Sequence, residues 1–299
     1  MNIGVDVGGS HVGLGLVNEK GQILLKCEKD YNKNEKDMSQ IVIDTILQLI
    51  NQVITKSKIE KQEIGKIGLA FPGTVSNGTV VKAENLGIEN LRIKDILENY
   101  YNCDIKLEND AKCAAIAEKK LGSLRQYEDS LFLNIGTGIG GASFLGGNLL
   151  RPKRYSGFEV GHMIIQKNGI QCNCGRKGCF ESYCSMKRLK EQIAREFKLN
   201  TMDGKKIREF IEQNSDNQKL EKILDTYIEN LNIGISNLIN IFEPQVISIG
   251  GSFAHYKEIL LKRLGRKMVE KQELYNKGDI PKIIIAELKN DAGIIGAAI

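Results

Sequence analysis

The chain has 299 residues, more than one ordinary hydrophobic core accommodates, and this length predicts two lobes. Hydrophobic residues make up 41% and charged residues 26%, a composition typical of a folded globular protein and not of a disordered chain. The net charge is +5 and no run of Lys or Arg concentrates it, so the composition argues against a nucleic-acid partner.

The first 73 residues predict a β-β-β-α-β unit. Two apolar runs flank a Gly8-Gly9 turn, a third apolar run follows, and a helical spacing of Ile, Leu and Val precedes a fourth run that ends at Pro72-Gly73. The strands are expected at 3–7, 12–17, 23–25 and 67–71, and the helix at about 39–57.

Residues 131–145 repeat the pattern of a strand, a glycine turn and a strand. A shift of 128 residues places Asp6 on Asn134 and Gly8 on Gly136, which predicts an internal repeat and two related lobes facing one cleft. The remaining elements are expected as helices at about 185–197, 205–213 and 218–242, strands at 246–249 and 283–285, and a short terminal helix with Asp291 as its N-cap.

No targeting or membrane-spanning segment is recognisable. The N-terminus opens into a strand-like run without a basic region or cleavage site, and no stretch reaches the roughly 18 apolar residues that a bilayer requires. We therefore expect a cytoplasmic protein with no membrane partner.

Three glycine turns could bind phosphate through backbone N–H groups, because glycine allows close approach and positive φ. A carboxylate beside phosphates makes chemical sense when Mg²⁺ mediates the contact. Any one turn could be a tight hairpin without a ligand, but three turns, two of them related by the repeat, favour nucleotide binding. None matches a P-loop or a dinucleotide-binding fingerprint. The candidate residues are Asp6, Gly8, Gly9, Ser10, Thr137, Gly138, Gly250 and Gly251.

Asp110 is the candidate catalytic base. It follows a strand-like segment and precedes an alanine-rich helix, so either Asn109 or Asp110 could be no more than the helix N-cap. In the functional interpretation, the helix dipole keeps Asp110 ionised, and the carboxylate accepts a proton from a hydroxyl that attacks a phosphate.

His162 and three cysteines have the spacing of a structural zinc site. The pattern His-x9-Cys-x-Cys-x4-Cys supplies a closed tetrahedral ligand set, His162, Cys172, Cys174 and Cys179, with no position left for a catalytic water. The zinc loop would hold His162 near Glu159 and Glu181, where two carboxylates and an imidazole could pair with sugar hydroxyls. As isolated residues, both glutamates would be solvated surface charges.

With these motifs in view, the sequence resembles the ROK family of repressors, open reading frames and sugar kinases over its whole length. The matching motifs are Asp6-Val7-Gly8-Gly9, Pro72-Gly73, Glu108-Asn109-Asp110-Ala111, Gly136-Thr137-Gly138-Ile139-Gly140-Gly141, Glu159-Val160-Gly161-His162, the cysteine triplet with Glu181, and Gly250-Gly251-Ser252.

The resemblance implies an α/β, two-lobed, actin-like (ribonuclease-H-like) fold that closes over ATP and a sugar. We expect a smaller lobe of residues 1–108 plus about 290–299 and a larger lobe of residues 109–289. Asp110 would be the base, His162 would ligate zinc through one nitrogen and the sugar through the other, and the assembly would be a homodimer or homotetramer. The implied sugar-binding residues are Gly73, Asn85, Asn109, Asp110, Glu159, His162 and Glu181.

Two departures from the family pattern concern binding. Ser10-His11 follows the first glycine pair, where a Thr is usual; Ser10 keeps the hydroxyl and His11 receives no role. Gly157-Phe158 stands where the family usually has Ala-Gly, so the Phe158 ring could either narrow the sugar specificity or point away into the core.

These motifs predict an ATP-dependent hexose kinase, with glucose giving glucose 6-phosphate as the leading reaction. N-acetylmannosamine, another hexosamine or fructose is the alternative substrate. A sugar-responsive repressor is disfavoured because Met1 stands only five residues before Asp6, which leaves no room for a DNA-reading helix. A silent binding module is disfavoured because it would not need Asp6, Asp110 and Thr137 together.

Overall fold

The computed structural model describes residues 1–32, 37–152, 155, 157–271 and 280–299. The chain divides into two compact units. Unit 1 comprises Met1–Arg125, Leu149–Gly157 and Glu287–Ile299, and unit 2 comprises Gln126–Asn148 and Phe158–Ala286. The predicted boundary at 108/109 differs, because residues 109–125 and 149–157 belong to unit 1.

The strands, in chain order, are β1 (Asn2–Val7), β2 (His11–Val17), β3 (Ile23–Asp30), β4 (Lys66–Phe71), β5 (Thr74–Ser76), β6 (Thr79–Ala83), β7 (Ile88–Leu91), β8 (Asp104–Asn109), β9 (Ser130–Ile135), β10 (Ile139–Leu145), β11 (Asn148–Leu149), β12 (Val246–Gly250) and β13 (Lys282–Ile285). The α-helices are α1 (Met38–Ser57), α2 (Ile93–Glu98), α3 (Asp110–Leu121), α4 (Glu181–Cys184), α5 (Met186–Glu196), α6 (Gly204–Gln213), α7 (Gln218–Phe242), α8 (Lys257–Lys271) and α9 (Ala292–Ala298). Among the described residues, none of these helices has both the length and the apolar character needed to cross a bilayer.

Unit 1 is built on a five-stranded mixed sheet in the order β3-β2-β1-β4-β8. The β1–β2 and β2–β3 pairs are antiparallel, whereas β1–β4 and β4–β8 are parallel. The apolar stripe of α1 covers this sheet with fully buried side chains such as Ile46 and Ile50, which pack in one core with Ile3 and Val5 of β1. The alternation of apolar residues that predicted these strands therefore marks the face under α1.

Unit 2 carries a second five-stranded sheet, in the order β11-β10-β9-β12-β13. Its central strand β9 is antiparallel to β10 and parallel to β12, which is parallel to β13. These three pairs have the same directions as β1–β2, β1–β4 and β4–β8 in the first sheet, and the internal repeat stays a prediction. The core of this unit includes Leu131 and Leu133 of β9 and the long apolar face of α7, the helix expected at 218–242.

A three-stranded antiparallel sheet, β5-β6-β7, was missed by the sequence analysis. Its strands have only three to five residues, too few for a clear alternation. A signal was nevertheless present, because Asn77 and Gly78 both have positive φ, 48° and 78°, in the tight turn between β5 and β6. Asn-Gly is the strongest short-range signal for such a hairpin.

Asp291 is the N-cap residue of α9, as predicted, but its side chain makes no capping hydrogen bond to the helix. Its φ of −89° and ψ of −11° give a helical backbone and not the extended one that is typical of a side-chain cap. Its carboxylate instead accepts a hydrogen bond from Lys26 Nζ at 2.9 Å.

Helix α9 packs backbone to backbone on unit 1. A Cβ added at Gly4 of β1 would collide with the carbonyl of Ile294, and one added at Gly68 of β4 would collide with the carbonyl of Ala297. On the other side of the helix, Gly296 lies against the carbonyl of Cys113 in α3. Glycine at these positions is what allows α9 to lie so close to β1, β4 and α3.

We predict that Gly68→Ala destabilises the protein by about 2–4 kcal/mol, because the obstacle to the new methyl group is backbone and cannot rotate away. Gly265→Ala is the matched control, since Gly265 lies in α8 with no heavy atom near an added Cβ. The control should gain about 0.5–1 kcal/mol from helix propensity. Urea unfolding followed by circular dichroism measures both, and equal stability of the two variants would contradict the described packing.

Candidate functional site

Asp6 lies near the end of β1, beneath the start of α9. A Cβ added at Gly293 would contact the Asp6 carboxylate, so this helix covers the acid. Burial, and then the neighbouring charge of Asp110, raise the pKa of Asp6 to about 7, while Lys26 acts in the opposite direction. A carboxyl group perturbed by both burial and a like charge is typical of a functional site.

Of the two residues that the sequence offered as the N-cap of α3, Asn109 occupies that position and Asp110 does not. Its Oδ1 accepts a hydrogen bond from Lys112 N at 3.2 Å, and its Nδ2 donates to Gly73 O at 3.0 Å. Asp110 is the first helical residue, and its Oδ1 accepts from Ala111 N at 2.8 Å. The Asp110 carboxylate therefore lies at the positive end of a 12-residue helix, where a negative charge is favoured.

The other sugar-site candidates of unit 1 lie around Gly73. With φ +89°, Gly73 packs against the Lys82 carbonyl, where any Cβ would collide. Asn85 is exposed in the 3₁₀ turn Glu84–Leu86 that directly follows β6. The hydrogen bond from Asn109 to Gly73 brings two of the predicted residues into direct contact. Asn85 follows β6, the strand whose Lys82 carbonyl packs against Gly73.

In unit 2, the two remaining glycine turns lie side by side, because β9 and β12 are parallel neighbours and both end there. Thr137 is exposed at the tip of a turn closed by a hydrogen bond from Gly136 N to Gly138 O, 2.9 Å long. Gly251 has φ +73°, and an added Cβ would lie 2.6 Å from the carbonyl oxygen of Ile135. The structure thus groups all four nucleotide candidates of this unit at one sheet edge.

The predicted zinc ligands converge. One donor atom from each of His162, Cys172, Cys174 and Cys179 lies within 4.8 Å of every other. The Cys174 and Cys179 sulfurs are 3.6 Å apart, and the Cys172 sulfur is 3.7 Å from His162 Nδ1. Ligands on a tetrahedral zinc ion with bonds near 2.3 Å are separated by about 3.8 Å. The donor set and its spacing therefore fit zinc.

The Glu181 carboxylate connects this cluster to the second glycine turn. Its Oε1 lies 3.5 Å from His162 Nδ1 and accepts a hydrogen bond from Cys172 Sγ at 3.3 Å. Its Oε2 accepts from Ile139 N at 3.4 Å and lies where a side chain at Gly138 would have to go. Position and chemistry make Glu181 a link between the metal ligands and the candidate phosphate loop.

Glu159 precedes the 3₁₀ turn Val160–His162, and its carbonyl accepts a hydrogen bond from His162 N at 3.0 Å. The exposed Glu159 and the partly exposed His162 are therefore held one turn apart, as the spacing predicted.

Phe158 points into the core of unit 2. Its ring centroid lies 5.3 Å from that of Phe242, and its edge covers the space beside Gly141. The residue has φ +60°, a left-handed backbone that costs a bulky residue on the order of 1–3 kcal/mol. Of the two sequence-based alternatives, the packed core position is the one observed, directly before Glu159.

Two residues that shape the site were missed from the sequence. Gly293 permits the cover over Asp6, and Tyr31 contacts the first glycine turn. A signal for Gly293 existed in the small residues of α9, Ala292, Gly293, Gly296, Ala297 and Ala298, which allow a helix to pack closely against its neighbours. Tyr31 had no such signal in the sequence, because its contact with the turn depends on the register between β2 and β3.

These features define a class: an α/β protein of the actin-like ATPase type, whose mixed sheets end in glycine turns beside carboxylates. A ROK hexokinase from Thermus thermophilus has a similar structure, with a TM-score of 0.79 and 29% identity, covering 99% of this chain and 96% of that one. The ROK family profile matches residues 2–299, and the chain belongs to the ROK family.

Relatives in sequence include both kinases and regulators. A glucokinase from Thermotoga maritima is 30% identical over 314 residues, covering 99% of this chain and 95% of the relative. A putative xylose repressor from Caldicellulosiruptor sp. is 27% identical over 306 residues, covering 98% of this chain and 76% of the relative. Family membership alone therefore does not decide whether this chain is a kinase or a regulator.

We predict that Cys174→Ser lowers bound zinc from about one ion per chain to a small fraction, because a serine hydroxyl is a poor zinc ligand. Cys103→Ser is the matched control, since Cys103 is a free cysteine of unit 1 and is not one of the four clustered residues. The measurement is the zinc content per chain after dialysis, by inductively coupled plasma mass spectrometry. Equal zinc in the two variants would refute this ligand set.

Proposed function

We propose that the protein is an ATP-dependent sugar kinase with glucose as its leading substrate. The observation that carries this proposal is the pair of carboxylates in unit 1. Asp6 lies one residue before the end of β1, the strand that leads into a glycine turn, and Asp110 is the first residue of α3 and close enough to perturb the pKa of Asp6. A kinase needs one carboxylate near the metal–phosphate group and a second near the attacking hydroxyl, whereas a sugar sensor needs neither.

In this mechanism Asp110 accepts the proton of the sugar hydroxyl while the hydroxyl oxygen forms a bond to the γ-phosphorus of ATP. The bond from that phosphorus to the bridging oxygen breaks, and ADP leaves with the electron pair. The products are a sugar phosphate, ADP and a proton that Asp110 later releases to water. A base at a helix N-terminus suits this role, because the helix dipole favours its ionised form.

Nucleotide binding is assigned to the glycine turns. In unit 1 these are Gly8 and Gly9 with the Ser10 hydroxyl, and in unit 2 they are the adjacent turns at Thr137-Gly138 and Gly250-Gly251, whose amides suit phosphate. Mg²⁺, when bound with ATP, would neutralise phosphate charge, and Asp6 is the carboxylate that would hold it.

Two groups of polar residues are assigned to sugar binding. Asn109 is oriented by its contacts with Gly73 and with its own helix, and Asn85 is an exposed amide in the turn that follows β6. Glu159, His162 and Glu181 would pair with further hydroxyls. His162 Nδ1 lies toward Cys172, which leaves Nε2 for the sugar. A structural zinc ion would fix this imidazole.

The substrate could instead be N-acetylmannosamine, another hexosamine or fructose, since no described contact distinguishes among these sugars. A sugar-responsive regulator without catalysis is the second candidate function, favoured by the repressor relative of 27% identity. That relative extends beyond the aligned region by about a quarter of its length. We further propose a cytoplasmic homodimer or homotetramer that binds neither nucleic acid nor membrane.

The test is ADP release with MgATP against glucose, N-acetylmannosamine, N-acetylglucosamine, mannose, fructose and allose. We expect Asp110→Asn to lower kcat by about 10²–10⁴-fold, the range for a lost general base, with sugar affinity nearly unchanged. Asp216→Asn is the control, because Asp216 is exposed in unit 2 outside every candidate site. A sugar-dependent activity that survives in Asp110→Asn would refute the base. No turnover with any sugar would favour the regulator.

A further inference from the structure

Tyr31 follows β3 and reaches the first glycine turn by strand register. His11 pairs with Asp30 across the β2–β3 ladder, so the next residues outward, Ser10 and Tyr31, face each other. The ladder continues one step, with Tyr31 N donating to Ser10 O at 3.0 Å. From this position the Tyr31 hydroxyl donates a hydrogen bond to Gly8 O.

We propose that Tyr31 is a positioning residue for nucleotide binding, which binds the carbonyl groups of Gly8 and Ser10 and so leaves the amide groups of Gly9 and Ser10 for the phosphates of ATP. The proposal rests on the proposed kinase function and adds a residue to its nucleotide site.

The polarity of the turn gives the physical reason. A phosphate is attracted by N–H groups and repelled by carbonyl oxygens, so an anion-binding turn must direct its carbonyls elsewhere. Tyr31 binds two of them, Gly8 O by its hydroxyl and Ser10 O by its amide. A third contact, from Gly8 N to His11 O at 2.9 Å, closes the turn.

The amides of Gly9 and Ser10 are the donors that remain in this turn. Within the part of the chain that the structure describes, no group accepts a hydrogen bond from the amides of Gly9 or Ser10. Gly9 is half-buried and Ser10 exposed, so both amides and the Ser10 hydroxyl are accessible to a ligand. A Cβ added at Gly8 would lie 2.9 Å from the His11 ring, so the His11 side chain packs against the turn at Gly8.

The Tyr31 hydroxyl is suited to act as a permanent donor. The side chain is partly buried, and burial raises the pKa of Tyr31 to about 12. The phenol therefore remains protonated throughout the pH range in which a kinase works, and its O–H continues to donate to the Gly8 carbonyl.

Tyr31→Phe tests the proposal, because it removes one hydroxyl and keeps the ring. We expect the Kd and the KM for MgATP to rise by roughly three- to tenfold, the effect of one hydrogen bond. The KM for the sugar and the Kd for adenosine, which lacks phosphates, should stay within about twofold. Tyr100→Phe is the matched control, since Tyr100 is 55% exposed in the same unit and its described hydrogen bond uses the backbone amide.

Calorimetry measures the binding of MgATP and of adenosine directly, so failure of the Tyr31 role can be distinguished from failure of the kinase function. If wild type turns over sugar and Tyr31→Phe binds MgATP as tightly as Tyr100→Phe, the role of Tyr31 is refuted and the kinase function stands. Equal weakening of MgATP and adenosine binding would also refute it, since it would indicate general damage to the fold. If wild type binds no MgATP, both the kinase function and this inference fail.

Discussion

Contact between the backbone of α9 and the backbones of β1 and β4 is the constraint on which the candidate chemistry of unit 1 depends. Glycine at Gly4 and Gly68 lets the helix lie directly on two central strands, and Gly296 admits α3 on its other side. The same approach places Gly293 over the Asp6 carboxylate. The energetic consequence is local, because a carboxylate shielded from water by packed backbone favours its protonated form until a cation or donor compensates.

This arrangement connects packing to function. Asp6 has a raised pKa because α9 buries it and Asp110 carries a like charge nearby. A divalent cation beside Asp6 would oppose both effects and favour the ionised carboxylate. Asp110 is held at a helix N-terminus by the Asn109 cap, and the glycine turn after β1 is fixed by Tyr31. In unit 2, Glu181 connects Cys172 of the candidate zinc cluster to the turn at Thr137. Each candidate group thus has a structural reason for its position.

Much of this could be predicted from the sequence, because the signals were local. Apolar periodicity gave α1, α7 and the central strands, and spacing gave the cluster at His162 and Cys172–Cys179. The small sheet β5-β6-β7 was missed because its strands are short, and the sequence did not reveal that the carboxylate of Asp291, the N-cap of α9, would pair with Lys26. The roles of Gly293 and Tyr31 depend on tertiary packing and strand register, which a single sequence does not display.

The measurement that tests this account most directly is the titration of the Asp6 carboxyl carbon by NMR in selectively labelled protein, without nucleotide or metal. The account predicts a pKa of about 7 in wild type. It predicts a lower value in Asp110→Asn, still above the ordinary aspartate value because burial remains. An Asp6 pKa near 3.8 in wild type, or one that Asp110→Asn does not lower, would contradict the placement of this carboxylate beneath α9 and beside Asp110.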